Sequence, residues 1–110
     1  MPAPKPSPEL AELMSIIGEA NTREIVRTFL HETPLLMGKL RVADRRSRHR
    51  AAHSLKSSAR LVGAHAIAAR AAQFEARLAL PDGDLYPADI TAILEDFSTS
   101  SPALIAFSDS

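Results

Sequence analysis

The chain of 110 residues has no cysteine and no tryptophan, and its aromatics are one tyrosine and four phenylalanines. Without thiols, disulfides and thiolate chemistry are excluded. No run of about 18 apolar residues occurs, so no membrane-spanning helix is expected. There is no Gly-rich phosphate loop and no Walker lysine motif, so the chain is not expected to be a kinase. Strand-period segments and internal repeats are also missing. The formal net charge is zero, which argues against polyanion binding by the molecule as a whole. Met1 to Pro8 holds four prolines, one lysine and no apolar core, so it does not read as a secretory leader. The expected location is the cytoplasm. The length fits one domain.

What is present is helical periodicity. The first eight residues read as a flexible Pro-rich tail, followed by a single helical domain over 9–108. Ser7-Pro8-Glu9 can open a short helix, with proline at its first position and the acid near its positive end. Leu10, Leu13, Met14 and Ile17 recur at helical spacing, and Gly18 stops the run. Asn21 or Thr22 is expected to cap a second helix. Its stripe of Ile25, Val26, Phe29, Leu30, Leu36, Met37 and Leu40 runs to about Val42. Pro34 inside it predicts a kink or the local loss of one hydrogen bond. Asp44 is a cap for a third helix that Gly63 ends. A fourth runs from His65 to about Leu80 on Ile67, Ala71, Phe74 and Leu78. Pro81-Asp82-Gly83 is a turn. The last helical region covers Pro87 to Phe107 with Ile90, Ile93, Leu94 and Phe97 as apolar positions; the run Ser98 to Pro102 can break it and leave Ala103 to Phe107 as a separate piece. The fold class is all-α: an antiparallel four-helix bundle with a short N-terminal helix.

The third helix is the informative one. At about 100° per residue, Ala51, Ala52, Leu55, Ser58, Ala59 and Val62 gather on one side, all small or apolar, and this side packs inward. His49, His53, Lys56, Ser57 and Arg60 gather opposite. A solvated imidazole there can serve as nucleophile or base near neutral pH. The surroundings are basic. From Lys39 to Arg60 there are eight Lys or Arg and one acid, Asp44, whereas Asp82 to Asp96 holds five acids and no base. The bland reading is two solvated faces. The functional one is a basic surface around His53 that meets an acidic partner or a phosphoryl group. His49 and His53 stand at i, i+4, a metal-pair spacing, but no third ligand lies near them, so no metal site is expected. His31 and His65 read as surface or helix-end residues, and Phe29 as core.

The order Ala52-His53-x-Leu55-Lys56-x-Ser58, followed by Gly63-Ala64, resembles the histidine phosphotransfer (HPt) domain of bacterial-type phosphorelays. The resemblance extends from about Leu10 to Leu80. Phe29 with Pro34 looks like a pair common in the family's preceding helix, and Glu75 resembles an acidic position often seen in its following one. Ser57 departs from the pattern, where glycine is usual. The resemblance implies that His53 carries a phosphoryl group on Nε2 and that Lys56 stabilises the phosphoryl oxygens. It makes His49, Ser57 and Arg60 partner-facing. It further implies a carrier that has no bound cofactor, with Mg2+ on the partner. The partners are the receiver domains of hybrid histidine kinases and response regulators, and the carrier is a monomer.

Two other functions compete. The bundle can be a receiver-binding module that does not become phosphorylated, for which the Ser57 departure is the local hint. Nucleic-acid binding through Arg45, Arg46, Arg48, Arg50 and Arg60 is the third reading. The zero net charge, the few aromatics and the absence of a reading motif weigh against it, so neither nucleic acid nor membrane is expected as a partner.

Overall fold

The computed structural model describes residues 6–110. The first five residues of the Pro-rich tail lie outside the described part. Five helices follow in order: α1 (Pro8–Ile17), α2 (Glu19–Val42), α3 (Arg45–Val62), α4 (His65–Ala79) and α5 (Pro87–Asp109). Helix therefore extends one residue beyond each end of 9–108. The described residues form no strand.

Local chemistry sets most boundaries. The Ser7 hydroxyl accepts from the Leu10 amide at 3.2 Å and caps α1. It also donates to the Val62 carbonyl at 3.3 Å, tying the start of α1 to the end of α3. Gly18, at φ +88°, both ends α1 and precedes α2. Asn21 and Thr22 are not caps. They lie inside α2 and donate backwards, to the carbonyls of Ile17 and Gly18, at 2.8 Å each. The reversal at Gly18 leaves these carbonyls near the side chains of the next turn, and that contact competes with capping. Asp44 caps α3 by accepting from the Ser47 amide at 2.8 Å. Gly63 ends it in the left-handed conformation, φ +78°, and the Ala64 amide reaches back to the Ala59 carbonyl at 2.8 Å. This is the wrapped C-terminus that glycine permits without a Cβ penalty.

Neither internal proline ends its helix. Helix α2 continues through Pro34, which by its chemistry cannot donate to the Leu30 carbonyl. Helix α5 covers the expected Pro87–Phe107 region and continues unbroken through the Ser98–Pro102 run. Both prolines are exposed, so water can satisfy the carbonyl that each leaves unbonded. Buried Ile93 and Leu104 hold the two halves of α5 to one core.

Helices α2, α3, α4 and α5 touch in cyclic order, each contacting its two neighbours, and α1 lies across α2 and α3. The core joins Val26, Phe29, Met37 and Leu40 to Leu55, Val62, Ile67, Phe74 and Leu78. Each large side chain of this kind contributes about 1.5–3 kcal/mol when fully buried. Small residues carry the rest: Ala51, Ala52, Ala59, Ala64, Ala68 and Ala71 are all buried. Several expected core positions, Leu13, Ile25, Leu30, Leu36, Ile90 and Phe97 among them, are only partly buried. Ser58 is half-buried and bonds the Ser54 carbonyl. Leu94 is exposed, on the outer side of α5 from Ile93.

The acidic segment is largely used within the fold. Asp84 pairs with Arg48 at 2.7 Å, Asp89 with Arg77 at 2.7 Å, and Asp96 with Arg70. These pairs fasten α5 and the loop before it to α3 and α4.

Candidate functional site

Helix α3 buries Ala52 and Leu55 completely, which forces the side chains half a turn away to the surface. His53 is one of these, and its side chain is 60% exposed. On the same stripe Arg46, Arg50, Ser57 and Arg60 are exposed and His49 is half-buried. The predicted stripe is therefore brought together by helix geometry alone. It remains basic, because among its cations only Lys56 has an ion-pair partner among the described residues.

A further member comes from α4. Its inner face is fixed by Phe74 and Leu78, and the neighbouring position, Glu75, is turned toward α3. One carboxylate oxygen of Glu75 meets Nδ1 of His53 and the other accepts from Nζ of Lys56. Glu75 and Lys56 are well covered, at 17% and 18% exposure. The Lys56 ammonium, and after it the His53 ring, hold the Glu75 carboxyl below the usual glutamate range, more than offsetting its partial burial. Glu75 is thus a carboxylate at neutral pH.

An ionised carboxylate offers only acceptors. It therefore selects the His53 tautomer that carries the proton on Nδ1. The lone pair is then on Nε2, which makes no hydrogen bond among the described residues. The arrangement is an oriented, solvent-facing nitrogen nucleophile backed by a fixed negative charge. When Nε2 forms a new bond, positive charge accumulates on the ring, and Glu75 lies where that charge develops.

Lys56 is placed differently from a free phosphate-binding cation: its ammonium is held on Glu75. Ser57, one turn after His53, presents a small exposed side chain. Arg60, two turns on, is exposed beside Leu61 and α1 and lines a shallow groove with Glu9, Glu12 and Leu13. His65 is exposed and opens α4, a surface helix-end residue as expected, and its Nε2 also meets Glu9 of α1 at 2.7 Å. Among the described residues no three His, Asp or Glu side chains come together as a metal-ligand set. A reading confined to one helix could not find the Glu75 contact, because its partner is 22 residues away. The available signal was the resemblance of Glu75 to an acidic position of the family's following helix.

No curated protein and no solved structure gives a significant match to the chain. A family model described as the Hpt domain matches residues 24–105, from the first turns of α2 into the last turns of α5, including His53, Lys56 and Glu75. The chain belongs to the Hpt domain family, the histidine phosphotransfer modules of phosphorelays.

Proposed function

We propose that this chain carries a phosphoryl group on His53 between aspartates of receiver domains, those of hybrid histidine kinases upstream and of response regulators downstream. The observation that carries the reading is the exposed His53 ring with Nδ1 on ionised Glu75 and Nε2 unpartnered. In the forward step the Nε2 lone pair attacks the phosphorus of an aspartyl phosphate. The P–N bond forms, the P–O bond to the aspartate breaks, and the aspartate leaves as carboxylate. The proton stays on Nδ1, shared with Glu75. Reversal uses the same groups. Phosphoryl transfer of this kind depends on positioning and charge rather than covalent assistance from the protein.

Lys56 keeps Glu75 ionised and, by rotating its ammonium, can reach phosphoryl oxygens. His49, Ser57 and Arg60 face the partner, with Ser57 small enough to let a receiver surface close on His53. Mg2+ is assigned to the receiver, because both oxygens of the carboxylate beside His53 are already engaged. The chain is a phosphocarrier rather than a classical enzyme, and it binds no cofactor of its own. We read α2–α5 as an antiparallel bundle. The two-residue links Ala43-Asp44 and Gly63-Ala64 and the cyclic contacts support this. No described helix is long and apolar enough to cross a membrane. A cytoplasmic monomer suits a carrier that meets two partners in turn.

The test is incubation with phosphorylated receiver domains, followed by phosphopeptide mapping under conditions that preserve phosphohistidine. Label on His53, absent from His53→Gln, is the expected result. Receiver binding without label across a panel from the same organism overturns the carrier reading and leaves a non-phosphorylated binding module.

A further inference from the structure

A second surface lies away from the His53 stripe. Arg48 points about 140° around α3 from His53. It faces a groove where the end of α2 meets the loop before α5 and the first turns of α5. The groove has a volume of about 360 Å³ and is lined by Leu40, Arg41, Arg48, Leu85, Tyr86 and Leu94, among others. Leu40 and Leu85 are buried and form an apolar floor. Tyr86 and Leu94 are 63% and 40% exposed on its rim, with Val42, 86% exposed, next to Arg41. A volume near the lower end of the range for ligand clefts suits a few side chains rather than a large cofactor.

The lining of this groove holds two cations and no acid, and the nearest carboxylate, Asp84, is already paired with Arg48. Arg41 is exposed and has no ion pair among the described residues. Arg48 gives one Nη to Asp84, while its Nε is buried without an acceptor. Exposed tyrosine and arginine around an apolar floor are the residue types that dominate binding energy at protein interfaces.

We propose that this groove docks an acidic peptide segment of a partner protein, with one large apolar side chain on the Leu40–Leu85 floor and carboxylates against Arg41 and Arg48. The concave shape favours a peptide over a lipid surface, which would meet a convex face. Since the groove and His53 lie on different sides of α3, a partner held here leaves the histidine open. Tethering would then raise the local concentration of a receiver linked to the same segment. The inference does not depend on the phosphotransfer reading.

The probe is a fluorescein-labelled, C-terminally amidated peptide pool in which one Leu, Phe or Trp is flanked by Glu and Asp. A matched pool carries Lys in place of the acids. Anisotropy titrations against the full chain should show saturable binding of the acidic pool only. Binding should weaken about tenfold or more in Arg41→Glu and in Leu94→Asp and persist in His53→Gln. Both substituted positions are exposed, and matching far-UV spectra and melting curves verify the fold. Arg41→Gln serves as the milder second variant. Absence of saturable acidic binding, or binding undiminished in these variants, overturns the proposal. Binding of phosphatidylserine vesicles through the same residues, without peptide binding, also overturns it and makes the groove a membrane contact.

Discussion

Replacing Glu75 by alanine separates a working carboxylate from a merely structural one. The change removes the acceptor from Nδ1 of His53 and from Nζ of Lys56 together. A hydrogen bond to a charged group contributes about 1.5–3 kcal/mol. His53 is 60% exposed, so water replaces part of what is lost, and the lower end of that range applies. About 1.5 kcal/mol less stabilisation of the charge developing on the ring corresponds to a roughly tenfold slower transfer. Glu75→Gln keeps an acceptor for Nδ1–H but loses the charge, and should slow transfer only about threefold. The assay is single-turnover rapid quench with a phosphorylated receiver at saturating carrier. Nitrogen-15 spectra of the ring supply the second readout: the Nδ1–H tautomer should lose population in Glu75→Ala and be largely kept in Glu75→Gln. Transfer in Glu75→Ala within about twofold of the parent chain, with the tautomer unchanged, would refute the reasoning.

Two further outcomes follow from the same contacts. Glu75 binds its proton less readily in the folded chain than in the unfolded one, so its contribution to stability is full above the usual glutamate range and disappears as the pH falls through and below that range. Denaturant titrations should therefore show the parent chain more stable than Glu75→Gln at pH 7, with the two converging in acid; a gap that is independent of pH contradicts this. At Gly63 a Cβ would approach the Ser7 hydroxyl at 2.5 Å and the Glu9 carboxylate at 2.6 Å, on a backbone at φ +78°. Gly63→Ala should lose about 1–2 kcal/mol, which lowers Tm by about 4–8 °C per kcal/mol in a domain of this size; an unchanged Tm would show that the α1 start yields freely.

Helix ends were readable where one side chain or one glycine decides them. Asp44, Gly18 and Gly63 act through atoms within a turn of themselves, so the chain order carries the signal. Asn21 and Thr22 misled because an amide or hydroxyl near a helix start can bond a preceding carbonyl instead of a following amide. The Ser98–Pro102 run left a break open for a different reason. Breakers act locally, whereas Ile93 and Leu104 hold α5 together through contacts with other helices. The face that presents His53 followed from the apolar period of α3. The tautomer of His53 did not, since it depends on how closely α4 approaches and on which way Glu75 points. The same holds for the acidic segment: its one-signed charge was legible, its pairing with Arg48, Arg77 and Arg70 was not.

The buried alanines of α3 and α4 have a consequence for the reach of the site. Helix axes pack at about 8–10 Å, and the side chains between them set where in that interval a pair falls. Ala51, Ala52 and Ala59 on α3, with Ala68 and Ala71 on α4, are buried small positions set among the larger Leu55, Ile67 and Phe74. A glutamate has a fixed span, and it must bridge the inter-helix gap to grip an imidazole and an ammonium at once. Methyl groups in the interior thus act as spacers for a polar contact at the surface. Bulkier interior residues would keep the fold's order while setting the carboxylate out of range. Residues without any chemistry of their own then decide whether the glutamate reaches the histidine.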